Sequence, residues 1–421
     1  MSPTLAFVST TALVLQWLLL RLTGVHLTPG LEALASGLAI FGAAFLLSWA
    51  AEVVQLDIPR GLAIAGLAVV AVLPEYAVDL YLAWQAATHP EYVGYATANM
   101  TGANRLLIGV GWASLVFIVW ARSGGRQRTI VLEQAQSLEL KYLFLATAYA
   151  FVIPLKGSLS LVDTVVFFVL FGLYIRRLLQ ASVEPQHVLG PAALVARLGT
   201  GARRTVTALM FVYAAVGILL AAEPFAESLI TIGRGWGLPE YLLIQWVAPL
   251  ASEAPEFIVA ILFVLGGGAT AGLGMLLSSK VNQWTLLIGA LPLAYSFAMG
   301  APSAMPLNDV QVREVFLTAA QSVFGIVVLL SFSFSLGEAA LLLGLFLGQI
   351  VTHLPEIFSS APGAGEQFAH YGAWVFAFVY LAMAALWLVF NAGSRTGLVS
   401  VFKPKALADA IGPEVEGRVA R

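Results

Sequence analysis

Apolar residues come in long runs separated by short polar breaks, and the runs are far too long for membrane barrel strands of about 10 residues. They predict helices of bilayer-spanning length. Twelve candidate spans follow, at roughly 4–22, 32–55, 61–87, 92–121, 138–156, 159–180, 204–230, 239–265, 269–298, 312–334, 337–356 and 370–391. Two of these runs are interrupted in the same way. AVLPEYAVDLYLAW, from Ala71 to Trp84, carries Pro74-Glu75, and LASEAPEFIVAILFVL, from Leu250 to Leu265, carries Pro255-Glu256. Proline frees a backbone carbonyl from the helix ladder, and glutamate places a charge where hydrocarbon makes charge expensive.

The surroundings of the two interruptions also repeat. SWAAEVVQL (Ser48 to Leu56) is echoed by LAAEPFAESL (Leu220 to Leu229), upstream of the two Pro-Glu segments. Downstream, NMTGANRLLIG (Asn99 to Gly109) is echoed by SSKVNQWTLLIG (Ser278 to Gly289). Glu75 to Asn104 is 29 residues and Glu256 to Asn282 is 26, so the registers agree within a small insertion. The chain therefore divides into an extra N-terminal helix (1–28), a first five-helix repeat (29–180), a linker (181–203), a second five-helix repeat (204–360) and an extra C-terminal helix with a polar tail (361–421). An odd number of spans per repeat inverts the second copy against the first, so the two Pro-Glu segments are expected to enter from opposite sides and meet near the midplane. The predicted fold class is an all-α polytopic membrane protein of two inverted five-helix repeats with one extra helix at each end.

Composition agrees and excludes other classes. Of 421 residues 60% are hydrophobic and 10% charged, against about 25% charged in a soluble chain, and the mean hydropathy is +0.89. The absence of cysteine excludes disulfides, thiol catalysis and thiolate metal sites. Five histidines without an HExxH motif argue against a membrane zinc protease, and no GxxxxGK[ST] loop is present to use ATP directly. No basic tract suggests nucleic acid, and no resident cofactor is expected. The first apolar run lacks a basic n-region and a cleavage site, which predicts a retained span.

Lysine and arginine are distributed unevenly between the loops. Fifteen fall on the side that holds both termini, among them Arg60, Arg122, Arg126, Arg128, Arg176 and Arg177; only Arg21, Lys156, Arg234 and Arg313 fall on the other. The positive-inside rule then places both termini in the cytoplasm, as in a protein of a bacterial inner (plasma) membrane. Arg105 and Lys280 fall inside spans and stand out for that reason.

Glu75 and Asp79 are four residues apart and Glu253 and Glu256 three apart, so each pair shares a helix face. Asp79 and Glu253 either line an ion site or sit solvated in the headgroup region. Asn104 and Asn282 either line the site or hydrogen-bond between helices. A buried Lys280 could occupy a cation position and neutralise Glu253 or Asp79, or else snorkel to the interface. Glu52 and Glu223, the acids of the two AAE copies, lie near the ion path or serve structure. Pro355-Glu356 reads as a helix terminus.

The duplicated Pro-Glu segments with their downstream asparagines, in a five-plus-five layout, resemble the sodium/calcium exchanger family of the cation–calcium antiporter superfamily. The resemblance covers roughly residues 35–356. It implies that Glu75 and Glu256 are the central calcium ligands, that Asn104 and Asn282 contribute to sodium coordination, and that Ser252 is a hydroxyl lining the site. Ala71 and Val72 stand where the family carries hydroxyls, Met100 stands where a serine is expected, and Lys280 lies inside the second asparagine stretch. The expected function is calcium/sodium antiport by alternating access, with calcium or another cation exchanged against protons as the alternative. A cation channel using the same acids fits two inverted halves less well. Two carboxylates could serve as an aspartyl-type dyad, but no other catalytic signature accompanies them, so no enzyme is expected. The expected partners are metal cations and the lipid bilayer; a homo-oligomer stays open.

Overall fold

The computed structural model describes residues 2–25, 27–57, 73–180, 188, 190–355 and 364–402. The first part of the third span (61–72), with Ala71 and Val72, Arg60, much of the linker, Glu356 and the C-terminal tail lie outside the described residues. A helix stands at each of the twelve predicted spans. In chain order they are α1 (Pro3–Thr23), α2 (Pro29–Val54), α3 (Leu73–Gln85), α4 (Tyr92–Arg122), α5 (Gln134–Lys156) and α6 (Leu161–Leu178). A short α7 (Gly190–Ala196) in the linker, which the sequence did not suggest, leads to α8 (Thr200–Trp236) and α9 (Glu240–Leu265). Next comes α10, built of Ala269–Asn282, Gln283–Leu287 and Ile288–Met299. It is followed by α11 (Asp309–Leu329), α12 (Leu336–Val351), α13 (Ala364–Phe390) and a final α14 (Ala392–Phe402). Among the described residues seven helices are long and apolar enough to cross a bilayer unaided, eight when α9 is counted across its break. The others are short, carry charged ends or are broken.

Helix starts follow local chemistry. Ser2 accepts the Leu5 N–H ahead of Pro3 at the start of α1. Ser160 and Asp163 form a capping box at α6, and Ser335 and Glu338 form one at α12. These are equivalent positions of the two repeats. Two boundaries differ from expectation. α8 runs on to Trp236 through Gly233 and Gly235, which read as loop in the sequence; Gly233 lies close against the backbone of Glu240, where a Cβ would meet Glu240 Cα at 3.0 Å. α11 ends at Leu329 because the chain then enters a short strand.

The chain forms two compact units that cut across the repeats: residues 1–85 with 183–255, and residues 86–182 with 256–421. In the first unit α2 packs along α8, and α1 lies against both. Pro224, inside α8, has no N–H to donate to the Leu220 carbonyl, and the Trp17 indole of α1 donates to that carbonyl instead at 3.0 Å. At the end of α2, Asp57 accepts two hydrogen bonds of 2.7 Å from Arg203. The Arg203 guanidinium, with Arg204 beside it, holds the Asp57 carboxyl down to about 2.

The inversion shows in the strand pairing of the second unit. Strand β1 (Thr129–Val131) lies between α4 and α5, β2 (Ser158–Leu159) between α5 and α6, β3 (Met305–Pro306) between α10 and α11, and β4 (Ser333–Ser335) between α11 and α12. β1 pairs antiparallel with β4, and β2 with β3. So the connection after the third helix of one repeat meets the connection after the fourth helix of the other, and the same holds in reverse. Because α5 separates β1 from β2, the two ribbons lie at opposite ends of the unit. That reciprocity is the signature of two copies related by a two-fold axis in the membrane plane.

The repeated LLIG motif has a packing reason. Gly109 of α4 faces Phe346 of α12, and Gly289 of α10 faces Phe168 and Phe167 of α6, again in reciprocal fashion. A Cβ at Gly109 would overlap the Phe346 ring, and one at Gly289 would come within 3.0 Å of Phe168. Gly109→Ala is therefore expected to lower the melting temperature of the detergent-solubilised protein, consistent with an overpacking cost of about 1–3 kcal/mol, and adding Phe346→Ala should recover part of it. The inversion itself is testable by thiol labelling, since the chain has no cysteine of its own. Val131→Cys and Pro306→Cys, both at exposed positions, should react with a membrane-impermeant maleimide from opposite sides of sealed vesicles.

Candidate ion site

Each Pro-Glu pair stands on a helix: Pro74-Glu75 in the first described turn of α3, and Pro255-Glu256 inside α9. α3 carries Glu75 and Asp79, both buried, one helical turn apart, as their spacing predicts. Two turns along α3, Tyr81 donates a 2.7 Å hydrogen bond to Glu227 of α8, and Gln85 donates to the Tyr81 hydroxyl. Glu227 was not singled out by the sequence. Of the acids that were, Glu223 is exposed and Glu52 half-buried. The described start of α9 holds Pro249 and Pro255, which leave the Gln245 and Ala251 carbonyls without their usual helical donors. Between the two prolines Ser252 and Glu253 are buried. The Ser252 hydroxyl donates to the Ala248 carbonyl at 3.3 Å, which turns its lone pairs outward from the helix.

In the second unit Glu256, just past Pro255, accepts a hydrogen bond from the Ser279 hydroxyl of α10. One residue earlier on α10, Ser278 is in hydrogen-bond contact with Tyr174 of α6 at 2.9 Å, and Tyr174 donates to Glu139 of α5 at 3.2 Å. Asn104 and Asn282 are buried on α4 and α10, each at the edge of a π-helical segment: Leu107–Trp112 follows Asn104, and Gln283–Leu287 follows Asn282. A π turn widens the ladder and loosens carbonyls at its edge. The carbonyls of Asn104 and Arg105 both accept side-chain donors, from Lys280 at 3.2 Å and from Gln321 at 3.2 Å.

Both in-span cations are buried. Lys280, 0% exposed, donates to Asn104 Oδ1 at 2.6 Å as well as to the Asn104 carbonyl, and its ammonium lies 4.4 Å from the centre of the Trp284 ring. It is not a snorkelling residue. The Asn104 amide nitrogen donates back to the Met100 carbonyl at 2.8 Å, which fixes the amide with its oxygen toward Lys280. Arg105, also 0% exposed, forms an ion pair with Glu314 of α11. Gln349 of α12 donates to Gln321 and extends this polar cluster.

Ser279, Glu314, Gln321 and Trp284 were not predicted. Ser279 could have been found, because it sits one residue from Lys280 in the asparagine stretch. Among the described residues no three His, Asp or Glu side chains gather at metal-binding spacing. A hard cation held by these segments would need amide, hydroxyl and backbone oxygens beside the carboxylates.

A polytopic helical chain with inverted repeats, broken helices and buried carboxylates at the breaks belongs to the class of membrane transporters built on duplicated folds. The family described as sodium/calcium exchanger protein matches residues 31–179 and 206–354, one match per repeat. The chain belongs to that family. It is 40% identical to the H+/Ca2+ exchanger CAX, whose crystal structure superposes with a TM-score of 0.88 over 97% of this chain and 98% of that one. Two more distant structures share the fold. The Ca2+/H+ antiporter protein YfkE matches at 14% identity and a TM-score of 0.58, over 90% of this chain and 99% of that one. The sodium-calcium exchanger NCX_Mj matches at 16% and 0.51, over 77% and 98%. No curated protein matches the chain.

The buried Arg105–Glu314 pair should act as a unit. Glu314→Leu alone leaves a buried guanidinium without its carboxylate, a loss of about 3–5 kcal/mol, and should depress the melting temperature in detergent strongly. Combining it with Arg105→Met should restore most of that loss.

Proposed function

We propose that this chain is a secondary antiporter that moves calcium against protons by alternating access. The observation that carries the reading is the 40% identity to the H+/Ca2+ exchanger CAX across nearly the whole of both chains. The sequence pattern alone favoured sodium as the coupling ion, with protons as the alternative; this comparison reverses the order.

Glu75 and Glu256 are the carboxylates of the exchange. A carboxylate that holds a proton has lost the charge a divalent ion needs, so proton and calcium exclude one another at the same oxygen atoms and the two fluxes are coupled. The calcium shell would be completed by further oxygen donors carried on the same segments: the Ser252 hydroxyl, the Asn282 amide, carbonyls freed by proline, and the carboxylates of Asp79 and Glu253. Asn104 contributes less than the family pattern implies, because its side-chain oxygen is taken by Lys280. The protein sits in a bacterial inner (plasma) membrane with both termini in the cytoplasm, on the strength of the lysine and arginine distribution.

Proteoliposomes loaded at acidic pH and diluted into calcium at neutral pH should take up calcium, whereas an outward sodium gradient at matched pH should not drive uptake. Glu75→Gln and Glu256→Gln should each reduce uptake to the level of empty vesicles. Uptake driven by sodium and not by protons in the unmodified protein would overturn the reading.

A further inference from the structure

We propose that Lys280 is a tethered cation that occupies, on Asn104, the place of a coupling sodium ion, and that this residue determines the antiporter's indifference to sodium. The inference rests on the proton-coupled reading above and deepens it by naming the group that sets the choice of ion.

Two oxygens of one residue, the amide Oδ1 and the backbone carbonyl of Asn104, accept hydrogen bonds from Lys280 Nζ at 2.6 and 3.2 Å. The ammonium also lies over the face of Trp284, one helical turn further along α10, at 4.4 Å. Carbonyl oxygens and the negative face of an aromatic ring are the groups that solvate a bare monovalent cation once water is removed. A lysine ammonium and a sodium ion carry the same single charge, so the same oxygens cannot serve both at once. The tether gives the ammonium the advantage: it is part of the chain, and no amount of external sodium changes its local concentration.

The backbone explains why these oxygens are available. The π-helical segment at Leu107–Trp112 begins three residues after Asn104, and the carbonyls in the turn before it reach outside the ladder, one to Lys280 and the next to Gln321. The π turn of α10, Gln283–Leu287, carries Trp284, so the paired irregularity of the second repeat supplies the ring that backs the ammonium. The amide of Asn104 is held in this orientation by its own bond to Met100. Asn104, Lys280 and Trp284 all lie in the second unit, and Lys280 is 0% exposed.

The charge of the Lys280 side chain is the property that excludes sodium. Lys280→Met keeps the length and removes the charge; Lys280→Arg keeps the charge. Calcium uptake under a fixed proton gradient is measured in sodium chloride and in choline chloride of equal concentration. The unmodified protein and Lys280→Arg should transport equally in both salts. Lys280→Met should respond to sodium, with uptake changing by roughly fivefold or more between the two salts, the scale of coupling between competing ions at linked sites.

If Lys280→Met transports too slowly to compare, the purified variant is heated in the two salts in detergent. A rise in melting temperature in sodium, absent from the unmodified protein, carries the same conclusion, and Lys280→Gln serves as a second neutral variant for both measurements. Neutral variants that show no response to sodium in either measurement overturn the proposal. Sodium-driven uptake by the unmodified protein overturns instead the proton-coupled reading on which it rests, and that outcome is seen before any variant is made.

Discussion

A charge or polar group inside hydrocarbon has no water to answer it, so each one in this protein must find its counterpart within the chain. Several buried groups of the second unit meet this constraint directly. Arg105 faces Glu314, the Arg105 carbonyl is met by Gln321, the Asn104 oxygens receive Lys280, and Glu256 accepts from Ser279. In the first unit Trp17 answers the carbonyl that Pro224 releases. Proline and π turns create unsatisfied backbone oxygens, and tertiary structure decides what reaches them. In an ordinary soluble helix such defects would be solvated and of little consequence. Here they are the places where side chains of function can be recruited.

The same reasoning explains why the inverted repeat was legible and why its contacts were not. Apolar runs of bilayer length, the doubled Pro-Glu and the doubled LLIG are local patterns, and a single pass along the chain finds them. The reciprocal pairing of β1 with β4 and β2 with β3 joins residues about 150–200 apart, and strands of two or three residues carry almost no periodic signal. The Arg105–Glu314 pair is separated by 209 positions. The sequence identified Arg105 as anomalous because charge at that depth is costly, but the sequence held no means of choosing Glu314 from the other acids. The capping boxes at Ser160 and Ser335 were within reach and show the duplication as plainly as the Pro-Glu pairs do.

Fold and coupling ion sit on different levels of evidence, and the residues show why. YfkE and NCX_Mj are named for different coupling ions and resemble this chain to a similar degree, at 14% and 16% identity. Their shared architecture therefore carries no information about whether a proton or sodium returns. The doubled Pro-Glu segments are equally uninformative, since a carboxylate serves calcium and proton alike. What separates the cases must be found among the substitutions around the glutamates, where a hydroxyl or amide oxygen is either available to a small monovalent ion or already engaged.

Seen this way, the departures from the family pattern are more informative than the matches. Met100 supplies no oxygen where a serine is expected, and its carbonyl instead anchors the Asn104 amide. Lys280 then takes the oxygen that the anchored amide presents. On the reading proposed above the two changes act in one direction: the first removes a side-chain ligand and the second fills the position with a charge of the same sign as sodium. A carboxylate needs neither ligand to bind a proton, so on the proton-coupled reading their loss would leave proton exchange at Glu75 and Glu256 chemically intact and sodium with an incomplete shell. On that reading a sequence change that would weaken a sodium-coupled exchanger is neutral for a proton-coupled one, and the asymmetry would let an intramembrane lysine persist at this position.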